Sequence, residues 1–426
     1  MTRPRSGTGT GAGPGQGAGT ETAPETTLTW AEASARRFER QFLTSPAPRS
    51  TPIAEVVSTM LGAHAQVLSA AEVSVGLRRS GATRADVRSA LWEDRSLVKT
   101  FGPRGTVHLL PTHELPLWCA ALSAVPTGPS ASAPGARLTE EQARQVVAAI
   151  GDALDGTCLT MDELSEEVVA RTGPWAGDLV MPAFQGMWPR WRQVLHRAGW
   201  AGTLSFGPDR GRKVTYTRPP AVDTVALPDA DAALSTLVRR YLHAYGPATP
   251  QHFAKWLAAP AGWAAKVFRG LAAGGAIEKV LFEGSADWWV TAGDTAFPQG
   301  RSREQGRSRE QDQPFSPARG VRLLPYFDAY LIAVQPRERL FPGKAYERAL
   351  AGGQAGNYPV LLVDGVAAGV WHQRRSGRRT TITVEPLKPL TGRQRRELAE
   401  QAERVGEVLE AKPELVVGKV TVGAHA

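Results

Sequence analysis

Two side chains separated by one residue, His64 and Gln66, stand in the stretch MLGAHAQVLS. In an extended segment, residues at i and i+2 project to one side. If the chain leaves the helical conformation there, an imidazole and a carboxamide share a face and could grip one water molecule. The carboxamide offers both a donor and an acceptor. The imidazole, with an ordinary pKa near about 6.5, could also take a proton. Spacing alone favours a His and a Gln that merely cap a helix junction.

Other chemistries are poorly provided for. The two cysteines, Cys119 and Cys158, make no disulfide framework, and no CxxC or Cys/His cluster marks a zinc site. A reducing interior is the expected compartment. No Walker A loop is present. Only nine lysines occur against 41 arginines. None lies near His64 in the chain, so a Schiff base is not expected and water is the expected nucleophile. No metal and no cofactor are expected.

These side chains must be positioned by several cores, because 426 residues with 42% hydrophobic content exceed one domain. The net charge of +9 directs attention to polyanions, nucleic acid first. Residues 1–27 are Gly/Thr/Pro-rich, carry no apolar core resembling a leader or membrane anchor, and read as a disordered tail. Residues 298–318 contain the direct repeat RSREQGRSREQ and read as a flexible charged linker. No run is long and apolar enough to span a bilayer, which leaves the cytoplasm by elimination.

Between tail and linker one pattern recurs three times: helices, then a short hairpin. In 28–135, helices are expected at about 52–61, 69–79 and 84–93, with a hairpin around the GPRG turn at 102–105. In 136–226, Thr139 with Gln142 and Thr160 with Glu163 form capping boxes, and TLSF–GPDRGR–KVTYT is a hairpin. In 227–297, Thr249-Pro250 opens a helix, and AIEKVLF–EGSA–DWWVT closes the unit. Helices followed by a basic hairpin describe a winged helix-turn-helix. After the linker, 319–426 carries sequential short strands and one amphipathic helix, expected as a small antiparallel β-barrel. The fold class is therefore α+β. Arg210, Arg212 and Lys213 on the second wing would contact phosphates, which position a duplex without reading it. Trp288-Trp289 reads as core.

The stretches MLGAHAQVLSAAEVSVGLR, RGTVHLLPTHELP, RYLHAYGPATPQHFAKWL and VRLLPYFDAYLIAV with YPVLLVDGVAAGVW occur in the order seen in the AlkZ-like winged-helix DNA glycosylases, related to the YcaQ proteins, and the chain resembles that family over most of 28–426. The resemblance implies a C-shaped monomer of three winged-helix domains and a β-barrel. It implies excision of N7-alkylated purines from double-stranded DNA, with some members unhooking crosslinks made by genotoxic antibiotics. The family motif is Gln-x-Gln, or Gln-x-Asp in the YcaQ branch. The matching positions here are His64-Ala65-Gln66, so the first Gln is replaced. The resemblance also places a duplex-probing hairpin in the barrel, which falls on Arg374, Arg375, Arg378 and Arg379. His108, on the first hairpin, is a further candidate for lining the site.

The chemistry fits the residues. A purine alkylated at N7 is cationic and already a good leaving group, so the enzyme need only place a water and stabilise oxocarbenium-like charge. No helix-hairpin-helix with a downstream catalytic Asp is present, and no lyase step is expected. His64 would titrate near about 6–7, with nearby phosphate shifting it upward. Two rival readings stand beside hydrolysis: a non-catalytic regulator or lesion-shielding DNA-binding protein, and a protein that sequesters the genotoxin in a deep apolar pocket.

Overall fold

In the computed structural model, residues 26–126, 134–183, 186–219, 228–295 and 318–423 are described. The expected tail and charged linker fall outside them, apart from Thr26, Thr27 and Ala318.

Three helical groups each close on a three-stranded sheet. In the first, helices Ile53–Thr59, Leu68–Gly76 and Arg84–Trp92 precede the hairpin Leu97–Phe101/Val107–Pro111. A short strand, Ala63–His64, adds to the second hairpin strand, with His64 opposite His108. The third helix starts where Thr83 and Asp86 satisfy each other's backbone N–H groups. Val56, Val57, Val75, Val87, Leu91 and Leu109 form its core.

The second group repeats the plan with Glu140–Ala153, Met161–Thr172 and Leu195–Trp200 against the strands Cys158–Thr160, Lys213–Thr217 and Ser205–Arg210. Both expected capping boxes are present. A further hairpin, Leu179–Ala183/Gly186–Pro189, stands outside that sheet.

The third group consists of Ala230–Tyr245, Pro250–Leu257 and Ala261–Ala273 with the hairpin Ile277–Phe282/Ser285–Thr291. Its third strand is Thr27–Leu28, running parallel to Ile277–Phe282. The helix Trp30–Arg40 follows it, and Arg37 donates to the carbonyls of Tyr245, Gly246 and Pro247. The chain from 27 to 40 therefore belongs with the third group, not with the first, where its place in the sequence would put it. Trp289 packs on the main core and Trp288 lies against Phe282, as core residues.

The C-terminal region departs from the expected closed antiparallel barrel. Five strands run Val321–Leu324, Val360–Val363, Val366–Ser376, Arg379–Pro386 and Lys412–Val417 in that order, an open, curled half-barrel. The last pair is parallel. The helix Gly392–Val408 packs against both edge strands, so a helix, rather than strand pairing, closes the layer.

This layer holds the first group in place. A Cβ on Gly76 would lie 2.5 Å from Val408 Cγ1, so only glycine allows that approach. Arg404 donates to the carbonyls of Gly76, Arg79 and Ala82 at 2.7–2.9 Å. Arg78 makes a bidentate pair with Asp328, both bonds 2.8 Å and both side chains fully buried. Ser74 donates to the same carboxylate. Among the described residues no helix is long and apolar enough to cross a membrane.

Candidate active site

The segment carrying His64 does leave the helix. Leu61 (φ 55°) and Gly62 (φ 92°) are both left-handed and turn the chain out of Ile53–Thr59 into the strand Ala63–His64. A Cβ on Gly62 would meet Leu110 Cδ2 at 2.8 Å, so the turn needs glycine twice over. Ala65 N–H bonds to Val107 O, and Val67 is extended before the next helix.

The strand Ala63–His64 brings His64 and His108 together, and the bend at Gln66 and Val67 leaves Gln66 exposed while His64 is buried. The imidazoles of His64 and His108 meet edge to face, 5.1 Å between centroids. Phe327, from the loop that also carries Asp328, stacks on His64 at 4.5 Å and 27°. Phe327 has φ 54°, an uncommon conformation for a bulky residue, held by its N–H bond to Gly356 O. His64 is buried, and its Nδ1 has no hydrogen-bond partner among the described residues. His108 is buried with Nδ1 2.8 Å from Thr106 O, so Nδ1–H donates to that carbonyl. Gln66 is exposed. It shares the segment with His64 but not the environment, and no hydrogen bond joins the two side chains.

Burial, reinforced by the positive charge of Arg104, pushes the His64 pKa down to about 3. Burial also pushes His108 well below its ordinary value, with His64 and Arg104 adding to it. In the protein without DNA, burial thus moves His64 in the direction opposite to the one expected beside a phosphate, and its imidazole is neutral near pH 7. The hairpin turn supplies Arg104, itself left-handed (φ 62°), with Nη1 donating to Trp256 O at 2.9 Å.

Folding is therefore linked to pH. The unfolded chain binds protons at both histidines below pH about 6.5 while the folded chain does not. Stability is thus full above that pH and falls as pH drops toward 3, by on the order of 1.4 kcal/mol per pH unit for each imidazole. Urea unfolding midpoints for wild type should hold from pH 7.5 to about 6.5 and fall below it down to pH 5.0. The His64→Gln protein should show a shallower fall. Equal slopes would mean that His64 is not held neutral.

Gln66 opens on a cavity of about 530 Å³ between the first and second helical groups. Lys99, Trp188, Arg192, Phe206 and Tyr216 form much of the rest of its wall. His64 and His108 lie behind this wall rather than on it. Lys99 corrects the expectation that no lysine lies near the motif: hairpin folding brings it onto the same cavity. Burial lowers its pKa, partly opposed by Asp209, and its Nζ stands 4.7 Å from the Phe206 ring centroid. Sequence spacing carried no signal for Lys99, Arg104 or Phe206. Phe327 lies within the YFDAY part of one of the family-like stretches.

The basic residues divide. Arg210 pairs with Glu163 and Lys213 with Asp162, both across to the first turn of Met161–Thr172. Such exposed pairs are weak and exchange readily for other partners. Arg212 is exposed at the turn between them. Arg374, Arg375, Arg378 and Arg379 crowd the exposed end of the longest hairpin, Val366–Ser376/Arg379–Pro386, with no acidic partner among the described residues. No group of metal-ligating side chains is present among the described residues.

Comparison with known proteins points to one family. The sequence profile of the family described as DNA glycosylase AlkZ-like matches residues 57–408. An interstrand DNA cross-link repair glycosylase from Streptomyces sahachiroi is 31% identical over 357 residues, which cover 80% of this chain and 87% of that protein. The solved structure of the Streptomyces sahachiroi DNA glycosylase AlkZ matches with a TM-score of 0.70 at 26% identity, over 92% of this chain and 100% of that one.

Proposed function

The chain belongs to the AlkZ-like family of DNA glycosylases, and from that premise we propose that it hydrolyses the N-glycosidic bond of N7-alkylated purines in double-stranded DNA, bulky or crosslinked N7-alkylguanines included. The observation that carries this reading is the exposure of Gln66 on a cavity wall, at the end of a segment that Gly62 turns out of the helix. A carboxamide there can accept from a water with its oxygen and donate with its nitrogen, which orients the water without any titrating group. The cationic purine leaves unaided by protonation. His64, neutral and clamped by Phe327, fixes the segment and offers Nδ1 as an acceptor rather than acting as a titrating base. Lys99 is engaged with Phe206, and the reaction stops at base release without a lyase step. Borohydride trapping of the protein on an apurinic duplex should give no crosslink.

The three helical groups act as winged-helix domains around the duplex, the chain works as a monomer, and the four hairpin arginines reach the phosphates beside the lesion. Replacing all four by Ala should weaken binding to any duplex and flatten the log–log dependence of affinity on salt by about 0.9 for each phosphate no longer neutralised. An unchanged slope would remove this hairpin from the interface.

A second reading, a lesion-binding protein without hydrolysis, is favoured by the withdrawal of His64 from the cavity. Single-turnover release of free N7-methylguanine from an alkylated duplex, corrected for spontaneous depurination, decides between the two. A folded protein that binds this duplex and releases no base is the second.

A further inference from the structure

The turn that leads to Gln66 is held from outside its own helical group. Helix Ile53–Thr59 ends there, and a helix end leaves carbonyls without partners inside the helix. The N–H groups of Leu61 and Gly62 return to Ser58 O and Val57 O, both at 3.0 Å. The Met60 carbonyl instead accepts from the hydroxyl of Tyr245, the last residue of Ala230–Tyr245 in the third group. Met60 and Tyr245 are both buried. Burial pushes the Tyr245 phenol above its ordinary pKa, so the hydroxyl remains a donor. On the same helix, Arg240 donates to the Ser58 hydroxyl and, at 2.7 Å, to the Glu114 carboxylate. Ser58 donates to that carboxylate at 2.6 Å. Glu114 follows the strand Val107–Pro111, with which Ala63–His64 pairs. Arg37 fixes Tyr245 in turn, through its bonds to the carbonyls of Tyr245 and Gly246.

We propose that Tyr245 and Arg240 are positioning residues for base release: they hold the turn at Leu61–Gly62 and through it the direction in which Gln66 meets the water. The assignment rests on the glycosylase reading above. Neither side chain reaches the reacting atoms. Tyr245 is buried, and Arg240 lines, with Ser58 and Leu61, a cavity that shares no residue with the one at Gln66. Their bonds fall on Ser58 and Met60, immediately before the two left-handed residues. Beyond Gly62 only two residues of strand precede the bend at Gln66, so a displaced turn carries Gln66 with it. A misplacement of about 1 Å can cost about 10²-fold in rate.

The test uses the full-length protein in single-turnover release of N7-methylguanine, with the duplex saturated so that affinity does not enter the rate. Tyr245→Phe keeps the ring, which packs 5.6 Å from Tyr241, and removes only the hydroxyl. It should lower release about tenfold with duplex affinity unchanged, and Arg240→Met should act in the same direction. Val280→Ala is the control: it truncates the small core of Leu28 and Val290 in the same third group, and should lose stability while releasing base at the wild-type rate. On a Gln66→Ala background Tyr245→Phe should have no further effect, because residues that act through one group are not additive. Wild-type release by Tyr245→Phe overturns the proposal, and so does a tenfold loss repeated in full on the Gln66→Ala background. A second readout needs no turnover. The side-chain amide resonance of Gln66, identified by its absence from spectra of Gln66→Ala, should shift in Tyr245→Phe and hold its place in Val280→Ala. An unmoved resonance in Tyr245→Phe overturns the proposal. Wild type that binds the duplex and releases no base refutes the glycosylase reading, and the amide resonance then decides by itself whether Tyr245 holds the segment.

Discussion

Gln66→Ala is expected to lower single-turnover base release by about two orders of magnitude or more, with melting and duplex affinity close to wild type. The size follows from the loss of one well-placed polar contact to the reacting centre, which typically costs about 10²–10³ in rate. The selectivity follows from the position of the side chain. Gln66 is exposed and makes no hydrogen bond among the described residues, so its removal leaves no buried partner unsatisfied. Nor does it leave a void, because its surroundings are cavity wall rather than core. A folded Gln66→Ala protein with wild-type release would remove Gln66 from the mechanism. His108, in contact with His64, would not replace it directly, because it is buried behind the wall.

His64→Gln probes the same machinery from inside. Gln restores the family motif but must bury an amide in a slot shaped by two rings, Phe327 and His108. Since the wild-type imidazole is already neutral down to pH about 3, the substitution should not abolish any acid limb of activity between pH 6 and 8. The departure from the motif is thus one of packing more than of acid–base chemistry.

Local signals were readable in the sequence, and distant ones were not. The pairs Thr139/Gln142 and Thr160/Glu163 cap helices where expected, because a capping box needs only residues three apart. The four-arginine hairpin end was legible for the same reason. The environment of His64 was not, because Phe327 reaches it from 263 positions away and no local pattern encodes that stacking. The same applies to Thr27–Leu28, two residues whose strand exists only through Ile277–Phe282. The extra hairpin escaped because Pro182 and Pro189 argue against strands, and it lies outside the main sheets where proline is tolerated. Alternation revealed the C-terminal strands, but closure is decided by the helix Gly392–Val408 between the edges, a property of packing rather than of period.

Asp328→Ala is expected to destabilise the protein by about 3–5 kcal/mol, the usual cost of stranding one partner of a buried ion pair. Arg78 is completely enclosed, with its two terminal nitrogens bound to the two oxygens of Asp328. Without the carboxylate, the guanidinium keeps only the carbonyl and hydroxyl of Ser74. Asp328 also caps the helix Ala329–Ala333 through Tyr330 N–H, and that bond is lost as well. The effect reaches the site because Phe327 precedes Asp328 in the chain. With the anchor gone, the ring that covers His64 is free to move, water gains access, and the imidazole pKa should climb from about 3 toward its ordinary value. Two readouts are therefore predicted together: a lower urea midpoint, and a His64 ring resonance that titrates near neutrality in NMR spectra of the labelled protein. Replacing both partners, Arg78→Met with Asp328→Leu, should recover much of the stability, because no charge is then stranded. It should recover the low His64 pKa only so far as apolar packing returns Phe327 to its stack. If Asp328→Ala unfolds at the wild-type midpoint with His64 still silent, the ion pair does not hold the C-terminal layer on the first helical group, and the clamp on His64 must come from Gly356 and the strand pairing alone.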